Sequence, residues 1–228
     1  MKFNASETLS EKIAKHLEDK IVRMELKSGE RLVEIKIAEE LGVSQSSVRE
    51  ALRLLERIRF VKLMPRHGTR VTEISEDYII SVYDIFKELV GLATRKTVER
   101  RNDKDLILIK KALNDVEKSS KNGELYPYNE AFFQWGITCL KAAYDPLLEE
   151  MLIDIVPTIR RFQYITLIHK GTDKMTNAVK KMKYSTECLI NEKADEAYRN
   201  NMEYLESEKN SVLEIFREHY TPSEKQSF

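Results

Sequence analysis

The chain has 228 residues, of which 42% are hydrophobic and 33% charged, and its seven Gly and five Pro favour long helices over a turn-rich β fold. The formal net charge is zero but unevenly spread: residues 1–74 hold 15 Lys and Arg against 12 Asp and Glu, and residues 75–228 hold 23 against 26. The only two cysteines, Cys139 and Cys188, form no CxxC pair and argue against a disulfide framework or zinc knuckle; with no apolar leader and no run of ~20 apolar residues, a cytoplasmic protein without a membrane span is expected.

Leu9, Ile13, Leu17, Ile21 and Met24 recur at helical spacing and predict an amphipathic helix over roughly residues 8–26. Ser28-Gly29-Glu30 breaks it. Ile35, Ala38 and Leu41 mark a short second helix, ended by Gly42 as a left-handed C-terminal residue. Ser44 is a natural N-cap for a third helix that runs to about Ile58 and turns Val48, Ala51, Leu52 and Leu55 inward. Residues 60–64 and 70–72 are short β-type runs around Pro65-Arg66-His67-Gly68-Thr69, which predicts a hairpin. The boundary falls at Glu73-Ile74-Ser75, with Ser75 capping the next helix. There Tyr78, Val82, Ile85, Leu89 and Leu92 keep a helical period. From 75 to about 218 the chain reads as about six helices, broken near Asn102, Asn122-Gly123, Asp145-Pro146, Gly171-Thr172 and Asn191. Pro157, inside one of them, should kink or split it. The domains are therefore expected at 1–74 and 75–220, with a flexible tail at 221–228. The fold class is mostly α: a winged helix-turn-helix followed by an all-helical bundle.

The stretch from Ile37 to Leu52 is the most informative. Two short helices meet at Gly42, Ala38 is small where they cross, and Val43 and Val48 fill the gap between them. The outer face of the second helix offers Ser44, Gln45, Ser46, Ser47, Arg49 and Arg53. Serine hydroxyls and helix-start N–H groups suit phosphate oxygens, arginine suits phosphate or guanine, and glutamine suits adenine. Between 44 and 70 there are seven basic residues and two acidic ones, Glu50 and Glu56. A basic hairpin tip, Arg66-His67-Gly68-Thr69, can enter a minor groove beside this helix. Double-stranded operator DNA is the partner such a face implies.

Residues 8–72 resemble the GntR superfamily of bacterial regulators. The matching stretches are Gly29-Glu30-Arg31-Leu32-Val33-Glu34, Ile37–Ser44, Val48-Arg49-Glu50-Ala51-Leu52 and Pro65–Val71. The resemblance implies that Arg31, Ser44, Gln45, Ser46, Ser47, Arg49, His67 and Gly68 stand where family members touch DNA. Gln45 departs from a common arginine, which bears on operator preference. Arg59 departs from a usual glycine, which puts the turn before the wing in question.

The helical part, through Asn129-Glu130-Ala131-Phe132-Phe133, Tyr144–Leu148 and Ala194–Leu205, resembles the FadR-type branch and its FCD effector domain. That branch implies a homodimer, a small-molecule effector and often a divalent metal held by one aspartate and three histidines. The aligned positions here are Asn129, Phe133, Met182 and Tyr204, none a strong ligand, so no metal and no cofactor are expected. The four histidines, His16, His67, His169 and His219, have no acidic or His partner at ligand spacing and read as surface residues. An arginine that grips an effector carboxylate in the branch aligns with Phe86. Phe86, Phe132, Phe133, Trp135, Met182 and Tyr204 either fill the core or line an apolar effector pocket, with Asn129 beside it and Arg160 or Arg161 as a charge partner.

The sequence thus reads as a DNA-binding transcriptional regulator, a repressor by the family's commoner habit, tuned by an unidentified small molecule. A second reading keeps DNA binding and drops effector sensing. An enzyme is not expected: there is no Gly-rich phosphate loop, no GxSxG and no HExxH, and the pairs Glu39-Glu40 and Glu149-Glu150 read as solvated helix faces.

Overall fold

A computed structural model describes residues 8–64 and 68–219. The chain divides into two compact units, Met1–Ile74 and Ser75–Phe228. The wing-tip residues Arg66 and His67, and the tail expected at 221–228, lie outside the described residues.

In the first unit, α1 (Leu9–Val22) opens on a capping box. Thr8 accepts from the Glu11 N–H, and Glu11 accepts from the Thr8 N–H. The helix ends four residues before the expected Leu26, because Met24 turns to a φ of +61°. A two-residue strand β1 (Arg31–Leu32) precedes α2 (Glu34–Leu41) and α3 (Gln45–Arg57). Gly42 sits between these helices at φ +64°, ψ +35°, the left-handed region where a side chain is disfavoured. Val48, Ala51, Leu52 and Leu55 are all buried, and α3 packs this face against α1. Strands β2 (Val61–Met64) and β3 (Gly68–Val71) form the hairpin, and β1 adds on the far side of β3 to give an antiparallel sheet in the order β1-β3-β2.

The second unit is a bundle of α4 (Glu76–Arg100), α5 (Asp103–Asn122), α6 (Leu125–Lys141), α7 (Pro146–Ile190) and α8 (Ala194–His219). Ser75 caps α4 by accepting from the Tyr78 N–H at 3.2 Å. Asn102 caps α5, Gly123 ends it at φ +73°, and Asp145 with Pro146 starts α7. Pro157 does not split α7: the helix continues through it and breaks instead at Gly171 (φ +61°, ψ −146°), so the bundle has six helical segments among the described residues. Thr158 to Gln163 are buried side by side just beyond Pro157, and that packing holds the helix despite the hydrogen bond the proline cannot make.

The core face of α4 is not the one its apolar spacing picks out. Ile79, Tyr83 and Phe86 are buried, whereas Ile85 is 55% and Leu92 47% exposed. Both stripes have a helical period, and α7 and α8 cover only the first. No helix of the described residues is long and apolar enough to cross a membrane.

Candidate nucleic-acid interface and bundle cavity

Helix α3 starts at solvent. The Ser44 hydroxyl accepts from the Ser47 N–H at 3.1 Å and lies 2.9 and 2.8 Å from the hydroxyls of Ser46 and Ser47, so three hydroxyls gather where the helix N–H groups emerge. Ser44, Gln45 and Ser46 are exposed and Ser47 is half-buried. One and two turns on, Arg49 and Arg53 are exposed along the same side. Glu34, from the first turn of α2, organises two of these residues. Its Oε2 accepts from Arg49 Nη2 at 2.8 Å and from Gln45 Nε2 at 3.1 Å, and its Oε1 accepts from Arg49 Nε at 3.3 Å. The Arg49 guanidinium holds the Glu34 carboxyl below the usual carboxylate range. Arg53 pairs with Glu50 at 2.7 Å.

The strands bring a second group close. Gly68 opens β3 at φ +80°, and the Arg31 guanidinium lies across it, its Nε 3.5 Å from where a Cβ would stand. Arg70 donates to the Gly29 carbonyl at 2.9 Å, which ties the sheet to the turn before β1. Thr69 corrects the sequence expectation. It is 3% exposed, opposite Leu63 and Leu32 in the ladder, and faces inward with Val71 two residues on, so its side chain cannot reach a ligand at the surface. Glu34 was not a sequence candidate. Nothing in the spacing shows that a residue of α2 would grip α3.

In the helical unit, a cavity of about 150 Å³ is lined by Phe86, Phe132, Phe133, Trp135 and Tyr204, all expected from the sequence, together with Tyr83. Asn129, Arg160 and Met182 do not line it. Arg160 corrects the expectation of a charge partner, because its guanidinium is buried against Glu130. Asn129 donates from Nδ2 to the Arg160 carbonyl at 3.3 Å, and its Oδ1 is buried without a partner of good geometry. A divalent metal does not fit the four aligned positions. Phe133 and Met182 offer no hard donor, and one amide and one phenol do not replace an aspartate and three histidines.

The polar groups of the cavity divide in two. At one end Asn201 Nδ2 donates to Thr94 Oγ1 at 2.9 Å and Ser185 Oγ donates to Asn201 Oδ1 at 2.7 Å, so α4, α7 and α8 satisfy one another. Elsewhere the lining includes Glu208, which is 3% exposed. Its Oε1 lies 2.7 Å from Lys174 Nζ. Burial pushes the Glu208 carboxyl above its ordinary value, with Lys174 opposing. Burial likewise raises the hydroxyls of Tyr83 and Tyr204, which keep their protons. Glu208 was missed in the sequence, although its place one helical turn after Tyr204 puts both on one face of α8. The histidines also needed the fold. His169 and His219, fifty residues apart, stack with ring centres 4.5 Å apart, where the sequence showed each without a His partner.

The fold and both sites now stand beside known proteins. Residues 9–71 match the family model described as bacterial regulatory proteins, gntR family. The first unit is thus similar to the DNA-binding domain of the GntR family. It is 32% identical over 112 residues to the HTH-type transcriptional regulator YdhC of Bacillus subtilis, covering 47% of this chain and 50% of that protein. It is 29% identical over 100 residues to the HTH-type transcriptional regulator McbR of Escherichia coli, covering 44% and 45%. These alignments therefore span about half the length of either relative. The solved structure of E. coli McbR/YncC has the same fold, with a TM-score of 0.78 at 18% identity over 95% of this chain and 100% of that one.

Proposed function

We propose that this chain is a GntR-family transcriptional regulator that binds double-stranded operator DNA as a homodimer. The observation that carries the reading is the exposed strip of Ser44, Gln45, Ser46, Arg49 and Arg53 at the free start of α3, held by Gly42 and Glu34. Helix N–H groups, hydroxyls and guanidinium groups in one strip match the phosphate and base-edge chemistry of a major groove. Arg31 and Gly68, with Arg66 and His67 beside them in sequence, supply the wing contact. Two copies place two such helices about one helical turn of DNA apart. The exposed Ile85 and Leu92 of α4 give a second copy an apolar ridge to cover.

Repression is the regulatory outcome, and the helical unit serves as an FCD-type sensor. An effector in its cavity shifts the protein between states of different operator affinity. The cavity supports sensing over the reading in which sensing has been lost. Residues drawn from α4, α6, α7 and α8 surround it, so an occupant changes how four helices pack.

Selection of bound oligonucleotides followed by a mobility-shift titration tests the core of this reading. Arg49→Ala should weaken operator binding by about 1–3 kcal/mol, and binding of the parent protein should fall steeply with salt. An unchanged affinity in the variant sinks the docking of α3.

A further inference from the structure

Glu34 opens α2 behind an N-cap, Val33, that offers no side-chain hydrogen bond, yet among the described residues every hydrogen bond its carboxylate accepts comes from α3. The donors, Arg49 and Gln45, lie four residues apart on the exposed face of that helix, so one carboxylate holds two neighbours of the strip at once. Glu34 is half-buried, while the Arg49 side chain keeps 51% of its surface in solvent. The carboxylate thus stands behind the two side chains and leaves them open to a partner.

What this grip leaves free follows from donor geometry. A guanidinium carries five N–H groups in a planar fork. Glu34 takes one edge, with Arg49 Nε at 3.3 Å from Oε1 and Nη2 at 2.8 Å from Oε2, and leaves the edge formed by Nη1 and the second N–H of Nη2 in a fixed plane. That edge holds donors alone and complements the two acceptors of guanine, N7 and O6. A carboxylate can only accept, so the Gln45 amide must turn its nitrogen to Glu34, as it does at 3.1 Å. Its remaining N–H and its oxygen then form a donor–acceptor pair in one orientation, which complements N7 and the amino group of adenine. A side chain held beforehand loses less rotamer freedom on binding than one that is not. The carboxylate also offsets the charge that would draw Arg49 to a phosphate, an attraction that carries no sequence information.

We infer that Glu34 is the positioning residue that turns Arg49 and Gln45 into base readers, Arg49 for guanine and Gln45 for adenine, rather than contacts to the DNA backbone. This deepens the operator-binding reading above and rests on it.

Selection of bound oligonucleotides by the whole chain and by its Glu34→Gln, Arg49→Ala and Gln45→Ala variants tests the assignment, with Kd measured on the selected operator and on a random duplex. Glu34→Gln should lower the operator-to-random affinity ratio about ten-fold, the discrimination of one bidentate base contact, while random-duplex binding stays level or tightens. The loss should fall on the base pairs where Arg49→Ala and Gln45→Ala also lose preference, a pattern that a merely structural role would not reproduce. Glu39→Gln removes the same charge from an exposed position of α2 and should leave the ratio unchanged. Glu34→Asp keeps the charge and the acid at the helix start but shortens its reach. It should weaken preference at the same base pairs, and it carries the test if Glu34→Gln does not fold. A loss spread evenly over the site, or an equal loss in Glu39→Gln, overturns the inference, as do bases other than guanine and adenine at the positions that Arg49 and Gln45 read. A parent protein that selects an operator while Glu34→Gln keeps its full preference overturns the role of Glu34 alone, whereas a parent that selects no sequence overturns the regulatory reading beneath it.

Discussion

Arg59 occupies a position built for glycine. Helix α3 ends in a Schellman arrangement: the Phe60 N–H reaches the Leu55 carbonyl and the Arg59 N–H reaches the Glu56 carbonyl, both at 2.9 Å. The residue between cap and closing bond must be left-handed, and Arg59 adopts φ +60° to supply it. The turn expected to be in question is made, at the cost of a side chain in a disfavoured region, and Phe60, 1% exposed, anchors it. Arg59→Gly should therefore raise stability by about 0.5–1 kcal/mol after the extra entropy of an unfolded glycine is set against the relieved ~1–2 kcal/mol of strain. Urea unfolding of parent and variant reads the difference, and a variant less stable than the parent contradicts it. At this scale Ser44, Gly42 and Ser75 were legible in the sequence, because caps and left-handed turns depend on nearest neighbours. The inward face of Thr69 is legible too, because it alternates with Val71 along β3. Glu34 was not, since its grip on Arg49 spans 15 residues and exists only once α2 and α3 cross.

Helices α4 and α8 show what decides packing between elements. Gly91 lets them approach: a Cβ there would stand 2.6 Å from the Tyr198 ring, itself covered by the Arg95 guanidinium at 4.3 Å. Alanine favours a helix over glycine by about 0.8–1 kcal/mol, but the overlap forces the ring or the helix to move, and overpacking costs about 1–3 kcal/mol. Gly91→Ala should accordingly destabilise the protein by about 1 kcal/mol, visible as a lower thermal midpoint; a raised midpoint would mean that Tyr198 moves freely. The same competition explains the two element-level departures. The apolar spacing of α4 offers two stripes, and its neighbours bury the one with Ile79, Tyr83 and Phe86. Pro157 lacks a donor, yet the buried run after it keeps α7 helical, and the break falls at Gly171, which alone in that helix has non-helical angles.

Across the molecule, carboxyls are shifted in opposite directions by ion pairing and by burial. The half-buried carboxyls of Glu34 and Glu76 are held low by arginines, Arg49 and Arg217, so their contribution is present above their ordinary value of 4.5 and lost as pH falls through the lowered values. Glu208 runs the other way. Its folded value lies above 4.5, so its contribution is fully present below 4.5 and lost as pH rises through the raised value. Stability of Glu208→Gln relative to the parent should thus increase from pH 4.5 upward and then level off. Denaturation curves of both proteins between pH 4 and 8 test this, and a difference that stays flat with pH removes Glu208 as a strained buried acid. The sequence by itself determined α3, its caps, the hairpin, the helical character of the second unit and the resemblance of residues 8–72 to the GntR family, because each rests on periodicity or on residues within a few positions of one another. Only the tertiary structure decided that Glu34 holds Arg49 and Gln45, that Thr69 turns inward, that Arg160 is spent on Glu130, and that Glu208 faces a cavity. Those are properties of burial and of which distant side chains meet, and a linear pattern carries neither.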